Sequence, residues 1–207
     1  MSAMALMAIN ANAEKVKFEI SDVVADSIKE VVVIVNNDKN SSQKVPVANG
    51  RFNAVGEAEK NDLLNVGHEI NRGFNSLVAI NDGQPIKMNF VENTVSGSSE
   101  NSALGNQIKA NAADEGRMAV LVKEYRELSK QNTAEADARI KEIMAEANAI
   151  EEKNMKASIE YIKAHKGDVT PVAFIQNVMY ELSYNELAEI INPDVAYFNH
   201  PMVAKAK

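Results

Sequence analysis

Residues 99–166 read SENSALGNQIKANAADEGRMAVLVKEYRELSKQNTAEADARIKEIMAEANAIEEKNMKASIEYIKAHK, and this stretch decides the fold. Its apolar residues recur at helical spacing in two runs. In the first, Met118, Leu121, Val122, Tyr125 and Leu128 share one face, and Lys123, Glu124, Arg126 and Glu127 fill the other. Ser99 or Ser102 can cap its start, because a side-chain oxygen accepts from a free first-turn amide. Gly116 costs ~1 kcal/mol against alanine in mid-helix and marks a place for a kink or a break. The second run opens at Thr133, an N-cap type, with Glu135 and Asp137 near the positive end of the helix dipole. Ile140, Ile143, Met144, Ala147 and Ile150 form its stripe, which resumes after a polar patch at Ile159 and Ile162. Lys163, His165 and Lys166, followed by Gly167, read as a helix end. The short polar link 129–132 folds the two arms back as an antiparallel hairpin. Each arm must bury its stripe. If that burial is against the preceding segment, an aspartate at Ile143 destabilises the whole chain.

The preceding segment reads as strands and turns. Val16, Phe18 and Ile20 alternate, and 30–35 is a continuous β-branched run, the pattern of a strand buried on both faces. Asn36-Asn37-Asp38 marks a turn. Val45 and Val47 lead into Asn49-Gly50, a strong hairpin signal, with Phe52 and Val55 on the returning strand. Residues 63–66 and 77–80 read as two more strands, with 68–73 as the loop between them. Asn81-Asp82-Gly83 is a tight turn before alternating Ile86, Met88 and Phe90. Short strands at this spacing predict an antiparallel sandwich or open barrel. Beyond the hairpin, Thr170-Pro171 opens a helix carrying Phe174, Val178 and Leu182. Ser183-x-x-Glu186 is a capping box. A last stretch starts at His200-Pro201 and stops at Lys207 within its pattern, as if a longer protein continued there.

The expected fold is therefore α+β: an N-terminal antiparallel β-sandwich-like domain over 14–97, then a long helical hairpin and short C-terminal helices over 98–207. Residues 2–9 are small and apolar, and Ala11-Asn12-Ala13 precedes a charged pair. Segment 1–13 thus resembles the remnant of a signal peptide with its cleavage site, although the basic n-region is missing. That predicts an exported, periplasmic protein; the plain alternative is an apolar N-terminus.

Composition excludes several classes. Of 207 residues, 45% are hydrophobic and 25% charged, an ordinary globular balance. A net charge of −7 argues against a nucleic-acid partner. No run is long enough to span a membrane. The absence of cysteine removes disulfides, thiolate nucleophiles and cysteine-bound metals.

His68, His165 and His200 lie on three separate segments, none paired with an acid at metal-ligand spacing. His68, Glu69, Arg72 and Phe74 sit close in sequence and form a candidate ligand loop, against the plainer reading of a solvated loop. Glu151-Glu152 reads as a solvated helix face. Phosphate-loop, nucleophile-elbow and H-E-x-x-H motifs are absent. No catalytic residue, metal or cofactor is expected.

The order of pieces carries a resemblance. Val45-x-Val47-x-Asn49-Gly50-Arg51-Phe52, Asp82-Gly83-x-Pro85-Ile86, Val95-x-Gly97-Ser98 and Asn101-x-x-Leu104 precede the hairpin. Thr170-Pro171-Val172-Ala173, the run NVMYELSYNE at 177–186 and His200-Pro201-Met202-Val203 come after it. Together these resemble the N-terminal region of exported thioredoxin-family thiol–disulfide oxidoreductases of the TlpA/ResA and AhpC/TSA type. There, a small β-domain of unknown function and a helical segment precede the thioredoxin-like domain. The resemblance implies a non-catalytic accessory region that positions the redox domain, binds substrate or partner, or mediates dimerisation. Its partner would be another protein, the covalently continuing thioredoxin-like domain or a second copy in a homodimer. The C-x-x-C is missing here, so no catalytic residue carries over. The alternative is a free-standing cell-envelope binding protein for a glycan or small ligand, seated near His68, Arg72 and Phe74. The absence of Trp weakens that alternative. A hydrolase using paired carboxylates has the least support.

Overall fold

Alternation of apolar and charged side chains makes β1 (Lys15–Val23) a strand with Phe18 and Ile20 buried and Lys17 and Glu19 in solvent. The structure, a computed structural model, describes residues 14–70 and 73–204; the signal-like segment 1–13 lies outside the described residues. β1 pairs along its whole length with β4 (Arg51–Glu59). Its other edge takes β7 (Ile86–Asn89) in parallel, and β8 (Thr94–Ser96) completes the first sheet, in the order β4-β1-β7-β8. The second sheet is antiparallel throughout, β3-β2-β5-β6, from β2 (Glu30–Val35), β3 (Gln43–Pro46), β5 (Leu63–Ile70) and β6 (Gly73–Ile80). Phe18, Ile20, Phe52 and Ile86 from the first sheet meet Val31, Val33, Leu64 and Val66 from the second, and this sandwich interior is the first core.

Four strand-level expectations change. Asn49 and Gly50 turn the chain at positive φ (52° and 67°), but only an isolated Ala48–Arg51 bridge forms across the turn. β3 and β4 then part into different sheets, so the turn is a corner between layers rather than a hairpin. Val55 faces solvent, and Ala54 and Ala58 take the inner positions with Phe52. In β2, Val31 and Val33 are buried while Val32 and Ile34 stay half-exposed, so that strand is not covered on both faces. Residues 68–70 and 73 belong to β5 and β6, which pair from Leu63↔Ile80 to Ile70↔Gly73.

α1 (Ser99–Leu128) and α2 (Ala134–Ala164) form the hairpin, each about 45 Å long at 1.5 Å rise per residue. Ser98, not Ser99 or Ser102, caps α1 by accepting from the Asn101 amide, and α1 continues through Gly116 without a break. Thr133 caps α2. At the base, α1 crosses β8 closely enough that a Cβ on Gly105 would strike the Val95 carbonyl. Asn101, fully buried there, accepts from the Ile80 amide at 2.8 Å and donates to the Ile80 carbonyl at 2.9 Å.

The second core lies on the outer face of the second sheet. Leu63 and Ile80 are covered there by Leu104, Ile162 and Tyr161, and by Val172, Ile175 and Val178 of α3 (Val172–Val178) and its neighbourhood. The capping box forms at Ser183–Glu186 and starts α4 (Tyr184–Ile190). Thr170 does not cap α3; its buried hydroxyl accepts from Tyr161 and donates to Asp168. Ile190, Tyr197 and Val203 close the core.

The stripes of the hairpin's outer half belong to neither core. Only Leu121, Ala136 and Ile143 are buried in that half, while Val122, Tyr125 and Met144 stay exposed. The arms therefore bury against each other, not against the sandwich. Arg117 to Glu146 (2.6 Å), Arg139 to Glu124 (2.7 Å) and Lys153 to Asp114 (2.7 Å) link them across the seam. At the exposed Arg117–Glu146 and Arg139–Glu124 positions these pairs set register more than stability.

Candidate functional site

Strand geometry separates the residues that sequence places together. Side chains alternate across a strand, so His68 and Glu69 point to opposite faces of β5. His68 is buried against Phe90, edge-to-face at 5.3 Å, and serves the sandwich interior. Glu69 is exposed, opposite Phe74 across the hairpin. The Phe74 ring lies over Gly67, where any Cβ would collide with it, so this half-exposed aromatic covers a gap in the sheet. Arg72 lies outside the described residues.

The other histidines organise chain ends. His165 meets Asp168 at 2.8 Å and stacks on Tyr161, and Asp168 also accepts from Thr170. This network orders the link from α2 to α3. His200 is nearly buried: the Met202 amide donates to its Nδ1 at 3.1 Å, so Nε2 carries the proton and donates to the Asn61 carbonyl at 3.1 Å. Burial pushes its pKa below the usual 6.5 and holds the ring neutral.

A cavity of about 790 Å³ lies where the base of the hairpin and α3 overhang β6. Val78, Ile108, Met155 and Phe174 supply its apolar lining. Asn111, Asn148, Asn154 and Asn177 add amides, and Glu115, Glu151, Glu152 and Glu181 add carboxylates. No lysine or arginine lines it. Desolvation raises the Glu115 pKa, although the side chain as a whole remains largely exposed. No hydrogen bond joins these four carboxylates to a second acid, a histidine or a hydroxyl among the described residues. The groove can bind; nothing in it pairs a nucleophile with a base.

Sequence periodicity held a trace of this groove. The polar patch that interrupts the α2 stripe between Ile150 and Ile159 is where α2 lines the cavity, so Glu151 and Glu152, read as a solvated face, are its walls. Helical spacing continues the groove side outward: Met118, Val122 and Tyr125 share a face of α1 with Asn111 and Glu115, and Met144 shares a face of α2 with Asn148, Glu151 and Met155. Among the described residues no acidic or histidine cluster suits a metal ion, and no helix is long and apolar enough to cross a membrane. With no cysteine, these residues perform no thiol–disulfide exchange. No protein family, curated protein or solved structure matches the chain.

Proposed function

We propose that this chain is a non-catalytic docking region, the front part of an exported thioredoxin-family thiol–disulfide oxidoreductase. It holds a protein partner for a redox domain that continues the chain, in the periplasm or otherwise outside the cytoplasm. One observation carries the reading. The cavity over β6 is an open, apolar-floored groove with acids and amides on its walls and no hydrogen-bonded nucleophile–base pair among the described residues. The exposed Val122, Tyr125 and Met144 extend that surface along the hairpin. Because the chain has no cysteine, any thiol–disulfide exchange belongs to another domain.

The test is the reading frame around this chain. We expect the frame to continue past the Lys207 codon into a thioredoxin-like domain bearing C-x-x-C, and a basic n-region upstream of Met1. A stop codon directly after Lys207 overturns the oxidoreductase assignment and favours a free-standing envelope binding protein.

A further inference from the structure

We infer that the groove receives an extended, lysine- or arginine-bearing peptide, which adds as a strand to the free edge of β6. This rests on the reading of the chain as a docking region and names the kind of partner it takes.

The register identifies the free groups. At Ile80 both the backbone N–H and the carbonyl bond to the Asn101 side chain, so they point away from β5. Its partner Leu63 agrees: the Leu63 amide donates to the Asn36 side chain and the Leu63 carbonyl accepts from the Asn36 amide, on the side away from β6. Backbone groups in an antiparallel strand face the same edge at every second residue. Val78, Ser76 and Phe74 therefore turn their N–H and C=O outward, like Ile80. β6 is the last strand of its sheet, and these outward groups have no partner among the described residues.

Natural edge strands are ordinarily covered, charged or very short. β6 runs for eight residues; Phe74 and Ser76 stay exposed, while α1 and β8 pass close to the strand and Asn101 covers its Ile80 end. That side-chain amide makes the paired donor and acceptor contacts that an incoming strand would repeat at Val78 and Ser76. Both of those residues line the groove, so the free edge and the cavity coincide. Added strands bind through main-chain hydrogen bonds and take specificity from alternate side chains.

Charge selects the occupant. Glu115, Glu151, Glu152 and Glu181 wall the groove with no lysine or arginine among its lining residues. A carboxylate-rich peptide would be repelled there, and a cationic one attracted in a salt-dependent way.

The experiment titrates the full chain with a fluorescent peptide alternating valine and lysine, its valine–glutamate counterpart, and the first peptide at raised salt. Amide hydrogen exchange is read at Phe74, Ser76 and Val78. The decisive variant is Ser76→Pro, which deletes an outward N–H and leaves the β5 ladder intact, a setting in which an edge strand accepts proline. We expect the lysine peptide alone to bind, to protect the Ser76 and Val78 amides, and to lose affinity roughly tenfold in the variant, about the net worth of one hydrogen bond. Should Ser76→Pro fail to fold, the triple substitution Glu115→Gln, Glu151→Gln, Glu181→Gln must weaken binding and flatten its salt dependence. Equal binding of both peptides, binding without amide protection, or no binding overturns the proposal. So does concentration-dependent protection of the same amides without peptide, which would make a second copy the occupant. A stop codon after Lys207 would remove the redox domain yet leave this site standing, so the two failures are distinguishable.

Discussion

Two polar side chains deep in the molecule hold its pieces together. Asn101 satisfies both backbone groups of Ile80 where the helical layer meets the free strand. Replacing it with alanine strands the buried Ile80 N–H, while the Ile80 carbonyl keeps the Asp82 amide as a donor, and we expect a loss of about 1–3 kcal/mol by urea unfolding. A loss under about 0.5 kcal/mol would mean that water reaches Ile80. His200 fastens the C-terminal stretch to the Asn61 carbonyl as a neutral ring. Its folded pKa is lowered by burial, so the unfolded chain takes up the proton first. Stability contributed here is therefore present above the ordinary 6.5 and is lost as pH falls through it. The melting temperature should drop between about pH 7.5 and about pH 5.5, and drop less in His200→Gln. Equal pH profiles for the two proteins would refute the assignment.

The hairpin behaves as an element with two halves. Its base is packed into the second core through Leu104, Tyr161 and Ile162, and in its outer half only Leu121, Ala136 and Ile143 are fully buried, with Leu128 and Ile140 half-buried beside them. Ile143→Asp places a charge in that small seam. The expected result is local: the outer turns fray, helical ellipticity falls, and the main unfolding transition of the body stays in place. Loss of the whole transition would show instead that the outer half is coupled to the cores. Gly116 sits in uninterrupted helix with open space where a Cβ would go. Gly116→Ala should therefore stabilise the outer half by up to ~1 kcal/mol, read as a rise in helical ellipticity on heating.

At the scale of the whole molecule, the second sheet is shared between two cores. Leu77 and Ala79 face the sandwich interior, and Val78 and Ile80 face the helices. The composition boundary near Gly97 marks where strands give way to helices, but Leu63 and Ile80 depend on the helical residues beyond it for their cover. A fragment of residues 14–97 should expose that outer face, bind a hydrophobic dye and unfold at lower urea than the full chain. An equal urea midpoint for fragment and chain would mean that the sandwich is stable on its own.

The part that the amino-acid order determined by itself was local. The two arms of the hairpin, the Thr133 cap, the Ser183–Glu186 box, the turns at Asn36 and Asn49, and the alternation of β1 and β7 all come from spacing and from neighbours a few residues away. The tertiary structure decided which sheet each strand joins, and so turned Asn49-Gly50 from a hairpin into a corner. It also drew 68–70 into a strand, sending His68 and Glu69, read as neighbours on one loop, to opposite faces. The groove was legible only as a gap in the α2 stripe, because its walls come from β6, α1, α2 and α3, far apart in the chain. Periodicity reports whether a residue faces an apolar neighbour, but not which distant element that neighbour belongs to. That choice is made by long-range packing, where the bare Cα of Gly105 lets α1 reach Val95 and Asn101 meets Ile80.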